Sequence, residues 1–304
     1  MAGLMYQLLS SSALISLGLY HLISSARSYL KSPQSYTAKP FHPLPAASRL
    51  RHLQLYLIIT FLLIAFAHQT LISSDADPLL KGRTPVHRFT SLQSAAVVFL
   101  FLLLALAILL ADSTSCLPFP PDLFFALASA IFFLHYSVSS SAASVQTSDL
   151  QARCDSVSAQ ISALAALLCL ALACQPRLFI ADLGLGAAVC LQGLWALQTG
   201  LSLYVEGFIP EGCHRLLDVV SGVEGSTKCD LEDSKLRAVA ILDLALILHV
   251  MVVMITVLVV YALAARGSSG VRRSGGSYEA LPTTAAAAAD VNHIQMKALI
   301  GTQA

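Results

Sequence analysis

Charge is what this sequence most lacks. Of its 304 residues 12% are Asp, Glu, Lys or Arg, against 56% that are hydrophobic. That is too little charge to cover the surface of a water-soluble domain. The 18 basic and 17 acidic residues nearly cancel, to a net charge of +1, so no basic face exists to neutralise phosphates and a nucleic-acid partner is not expected. The signatures of soluble enzymes are missing too: there is no GxSxG, no Walker loop and no CxxC. The GLG at 184–186 sits in an apolar run with no strand before it, which makes it packing glycine rather than a nucleotide loop. No internal repeat is visible, so the inverted-repeat plan of many transporters gains no support. Tryptophan occurs once, at Trp195.

What is present is long apolar runs. They are long enough to cross a bilayer and fall at about 4–24, 52–72, 91–111, 122–143, 157–174, 178–204 and 238–264. The first has no Lys or Arg before it and no small-residue cleavage site after it, and reads as a span rather than a signal peptide. The expected fold class is therefore all-α: a polytopic membrane protein with about seven transmembrane helices. Residues 1–265 form the expected transmembrane domain. Residues 266–304, rich in Gly, Ser and Ala, form an expected disordered tail. The tail carries Arg272–Arg273, too small a cluster for lipid binding, and YEAL at 278–281, which has the form of a sorting signal.

Connections are informative as well. Pro33, Pro40, Pro43 and Pro45 keep the first loop from being a helix, and QPR at 175–177 makes the fifth and sixth spans antiparallel neighbours. Lys and Arg total ten on the side of the first loop and the tail, against eight on the other side. The positive-inside rule then puts the N-terminus outside or lumenal and the C-terminus in the cytoplasm, in an endomembrane or the plasma membrane. The loop 205–236, with seven acidic residues, Cys213 and Cys229, would lie outside. A disulfide between those cysteines fits that compartment, although spacing leaves two free thiols equally open. Cys116, Cys154, Cys169, Cys174 and Cys190 lie in or beside spans and behave as small hydrophobes.

Ionisable groups in the spans are His21, His68, His135, Asp182, Asp243 and His249. Such groups are costly in lipid and face protein or water. None stands at the i, i+4 spacing of a helical metal pair, so no metal or cofactor is expected from local motif. Two readings stay open: each histidine bonds a neighbouring helix on its own, or several converge on a proton or metal site with Asp182 or Asp243. On the sixth span, a turn of 100° per residue sorts two faces. Gln192, Trp195, Thr199, Ser202 and Glu206 share one, with Gln198 adding to the polar content of the span, while Gly186, Gly193 and Gly200 lie nearly opposite, together with Asp182. Glycines so spaced let a neighbouring backbone approach, and Gln or Ser bond across helices. This span is expected at the centre of the bundle.

LQGLWALQTGLSLYVEGF followed by PEGCH, at 191–214, resembles the transmembrane protein 45 family (domain of unknown function 716), its plant members especially. GLYH at 18–21, LQLYLII at 53–59 and FFLHYS at 132–137 support the likeness, which runs from the first span to the seventh. The resemblance implies a multi-pass membrane protein of uncharacterised biochemical role, linked in plants to stress or pathogen challenge. Family members continue the fourth span into a stretch of the form HSxDHxGLEGxYH. Here FFLHYS runs into VSSSAASVQTSDLQARCD, keeping only His135 and Ser137. Any metal or proton chemistry of that stretch would be lost. The leading expectation is a non-enzymatic membrane protein that meets the lipid bilayer and membrane-protein partners. The alternative is a carrier or channel for a small solute or proton along the polar face of the sixth span, and an intramembrane metal-dependent hydrolase ranks last.

Overall fold

The computed structural model describes residues 2–43, 51–74, 86–114, 119–146, 148–217 and 224–274. Among them seven helices are long and apolar enough to cross a membrane. They are α1 (Ala2–Lys31), α2 (Leu53–Ser74), α3 (Val86–Ser113), α4 (Pro121–Val145), α5 (Asp149–Cys174), α6 (Phe179–Tyr204) and α7 (Glu232–Ser274). The protein is an all-α, integral membrane protein. A two-stranded antiparallel hairpin, β1 (Cys213–Leu217) with β2 (Glu224–Cys229), rises in the loop between α6 and α7. The described residues to Ala264 form one compact unit, and Ala265–Ser274, the end of α7, fall outside it. Cys116, the YEAL stretch and the tail from residue 275 lie outside the described residues.

Helix starts follow local chemistry. Pro121 occupies the first turn of α4, where its missing N–H costs nothing. Ser148 caps α5 by accepting from the Gln151 amide, and Asp149 places negative charge at the positive helix end. Four helices outrun the expected spans: α1 continues to Lys31, α3 begins at Val86 rather than near 91, α5 begins at Asp149 rather than near 157, and α7 starts at Glu232 and reaches Ser274. The extensions are polar, and polar side chains are welcome where a helix leaves the hydrocarbon.

Packing centres on α6, which lies between α1 and α5. The α1–α6 seam is antiparallel and close. A Cβ on Gly193 would stand 2.8 Å from the Ile15 backbone nitrogen, and one on Gly18 would stand 2.7 Å from that of Cys190. Further along, Gly200 faces Gln7 and Gly186 faces Leu22. At Gly193 and Gly18, where the neighbour is backbone, only hydrogen fits; at Gly200 and Gly186 the neighbours are side chains that a methyl would have to push aside. The other face of α6 meets α5, where Trp195 Nε1 donates to the Cys154 carbonyl oxygen at 2.9 Å and Gln192 Nε2 to Ser158 Oγ at 2.6 Å. Helix α7 reaches the same core through Ala238, Leu242, Val253 and Val260, while much of its remaining surface is large exposed apolar side chains suited to lipid.

Candidate functional site

Asp182 sits in the first turn of α6 and is fully buried. A carboxylate without water needs partners on both oxygens. His21 Nε2 of α1 lies 2.9 Å from Oδ1, and the phenol of Tyr36 donates to Oδ2. A second histidine, His42, stands edge-on to His21 with ring centroids 5.2 Å apart, and its Nε2 is 3.2 Å from Ser25 Oγ. One ring nitrogen of each histidine and one Asp182 oxygen lie within 4.8 Å of one another.

Tyr36 and His42 come from the proline-rich loop after α1, which folds back onto the helix ends. Its Ala38 amide donates to the Pro176 carbonyl oxygen at 2.7 Å, in the α5–α6 connection. Tyr20 Oη donates to the His42 carbonyl oxygen at 2.9 Å, and the His42 amide donates to Gln54 Oε1 at 3.3 Å. Tyr36 also packs edge-on against Tyr29 and Phe179. Burial first, and the Asp182 carboxylate next, hold the Tyr36 phenol well above its ordinary value, so it keeps its proton and stays a donor. Burial, and then the neighbouring His21, push the His42 imidazole down to about 4, leaving it neutral at pH 7.

The other polar residues of the spans do not join this centre. His68 stacks on Tyr6 with centroids 3.8 Å apart, bridging α2 and α1. His135 Nδ1 lies 2.7 Å from Ser162 Oγ, and Ser129 donates to the Ala166 carbonyl oxygen, both between α4 and α5. His249 Nδ1 lies 2.6 Å from the Ala245 carbonyl oxygen, and its ring meets Trp195 edge-on. Asp243 pairs with Arg153 of α5, whose Nη2 is 2.5 Å from Oδ1. Gln198 Nε2 donates to Ser202 Oγ at 2.9 Å, within its own helix. Of the six ionisable residues picked from the spans, His21 and Asp182 converge; His135, Asp243 and His249 have polar partners elsewhere, and His68 stacks on Tyr6 with its buried Nδ1 lacking a hydrogen-bond partner among the described residues.

Tyr36, His42 and Ser25 were invisible as site residues in the sequence. The signal that could have pointed to Tyr36 and His42 is the run SYTAKPFHP, in which aromatics and a histidine stand among prolines soon after a span, whereas nothing local marks Ser25. At the opposite end of the bundle a disulfide joins Cys213 and Cys229, which are directly paired across the hairpin. There Ser148 Oγ donates to the Thr227 carbonyl oxygen at 2.5 Å, and Lys235 lies 3.2 Å from Asp149. The first bond fastens the hairpin to the start of α5, and the second joins that start to the first turns of α7.

The comparison with known proteins falls on α4 to α7 and the hairpin between α6 and α7. Residues 121–262 match a family of unknown function, DUF716. The match covers α4 through most of α7, less than half of the chain, and over that stretch the chain is similar to this family. The DUF716 region contains Asp182, Gln192, Trp195 and both hairpin cysteines, whereas His21, Tyr36 and His42 precede it. No curated protein matches the chain.

Proposed function

We propose that this protein is non-enzymatic and works through partner membrane proteins in an endomembrane or the plasma membrane. The observation that carries the proposal is the state of α6. Its polar face bonds α5 through Gln192 Nε2 and Trp195 and bonds itself from Gln198 to Ser202, leaving the buried Gln192 Oε1 as an acceptor without a partner among the described residues, and its glycine face is closed against α1. The helix best equipped to line a solute path is therefore packed on both sides, which favours assembly over transport. The test has two arms. Purified protein in liposomes should pass protons no faster than protein-free vesicles, and flux abolished by Asp182→Asn would restore the carrier reading. Cross-linking in native membranes should trap the same partner repeatedly; trapping none would end the proposal.

The Cys213–Cys229 disulfide supports placing the hairpin, and with it the N-terminus, on the oxidising side. A glycosylation acceptor inserted between residues 218 and 223 should then be modified in microsomes. Modification of one placed after Arg266 instead would reverse the orientation. The resemblance of the stretch 191–214 to the plant-type transmembrane protein 45 family is what suggests a response to stress or pathogen challenge as the proposed setting. Disruption of the gene with no change in either response would remove it.

A further inference from the structure

We infer that His21, His42 and Asp182 form a binding site for a divalent transition-metal ion of the zinc class, at the end of the bundle away from the hairpin. The three ligand atoms come from three separate pieces of chain and already lie within 4.8 Å of one another. Tetrahedral coordination at 2.0–2.2 Å would bring them to about 3.3 Å apart. Closing that gap takes side-chain adjustment of an ångström or so, with no refolding of a helix. Two imidazoles and one carboxylate suit zinc-like ions and disfavour magnesium and calcium, which prefer all-oxygen sets.

Three further observations favour an ion over a hydrogen-bonded knot alone. First, Asp182 is fully buried, and among the described residues its ion-pair partner is His21, with no Lys or Arg bonded to it. A buried carboxylate is best compensated by a fixed positive charge. Second, His42 stands edge-on to His21 with ring centroids 5.2 Å apart, so the two rings bring a nitrogen each to the same carboxylate. Third, outer partners hold the ligands in place, as metal sites require: Tyr36 on the far oxygen of Asp182, Ser25 beside His42, and Tyr20 on the His42 carbonyl. Three protein ligands leave a coordination position open, the pattern of an exchangeable rather than a closed structural site. Binding would tie the loop at 32–43 to α1 and α6, making the loop's attachment depend on metal. This inference stands apart from the partner-based reading above and neither needs the other.

The test uses the full chain in detergent, stripped with a chelator and dialysed against buffered zinc alone. Elemental analysis should find about one equivalent bound, and zinc should raise the melting temperature above that in chelator. His42→Ala, in a loop rather than a helix, should weaken binding by ~100-fold or more, because even outer partners of a metal are worth about 10- to 100-fold. Tyr36→Phe should weaken it by about tenfold, while His214→Ala, at an exposed histidine of the hairpin, should change nothing. If His42→Ala aggregates, His42→Cys decides: loaded with Co2+, it should gain a thiolate-to-cobalt absorption band that the unmodified chain lacks. No bound zinc in the unmodified chain, full binding in His42→Ala, or no new band in His42→Cys would each overturn the site.

Discussion

The indole of Trp195 is 1% exposed, and its nitrogen donates across to the Cys154 carbonyl oxygen of α5. Trp195→Phe would keep most of the apolar volume and remove that bond between helices, while the carbonyl keeps the helical partner its position in α5 supplies. We expect a loss of about 0.5–1.5 kcal/mol, the usual net worth of one hydrogen bond, read as a lower melting temperature in detergent. Arg153 and Asp243 offer a contrast at the same scale. Their side chains are 30% and 43% exposed, so solvent screens the pair. A double-mutant cycle with Arg153→Ala and Asp243→Ala should give a coupling of at most ~1 kcal/mol. Both residues were legible as polar positions. That they meet was not, because 90 residues separate them.

At the scale of elements, the α1–α6 seam decides how close two helices come. A methyl at position 193 would meet both the backbone and the side chain of Ile15 at 2.8 Å, and backbone cannot swing aside. Gly193→Ala should cost about 1–3 kcal/mol through overpacking, and Gly193→Leu should abolish folded yield. Gly207, with nothing within 4 Å of its would-be Cβ, is the control, and Gly207→Ala should melt within ~0.5 kcal/mol of the parent. Normal yield and stability for Gly193→Leu would contradict the packing account. The seven-residue glycine repeat on α6 was plain in the sequence. Its partner face on α1 was not, since Gly3 and Gly18 form no such repeat there. Helix ends were misjudged for a related reason. Asp149, Arg153 and Asp155 look like loop residues until Ser148 caps the helix, Asp243 meets Arg153, and Gln146 donates to Asp155.

At the scale of the molecule, two devices sit at opposite ends of the bundle. One end holds the hairpin with its disulfide, and the other holds the loop at 32–43 folded onto Asp182. Replacing Cys213 and Cys229 by Ser should lower stability by about 2–4 kcal/mol, because the open loop regains conformational freedom when unfolded. The same change should leave the environment of Asp182 untouched. A difference in zinc uptake between the two forms would show that the ends communicate.

The sequence by itself determined that the chain lives in a bilayer and how many times its helices can cross it. It also determined which residues of α6 turn toward protein, since burial in lipid punishes charge and rewards uninterrupted apolar length whatever the neighbours are. Only the tertiary structure decided that His21 rather than any other histidine meets Asp182, and that a tyrosine and a histidine from a proline-rich loop complete the cluster. Those contacts rest on the chain between α1 and α2 doubling back to bond with the α5–α6 connection. A loop's path is set by partners distant in sequence, which no local periodicity records.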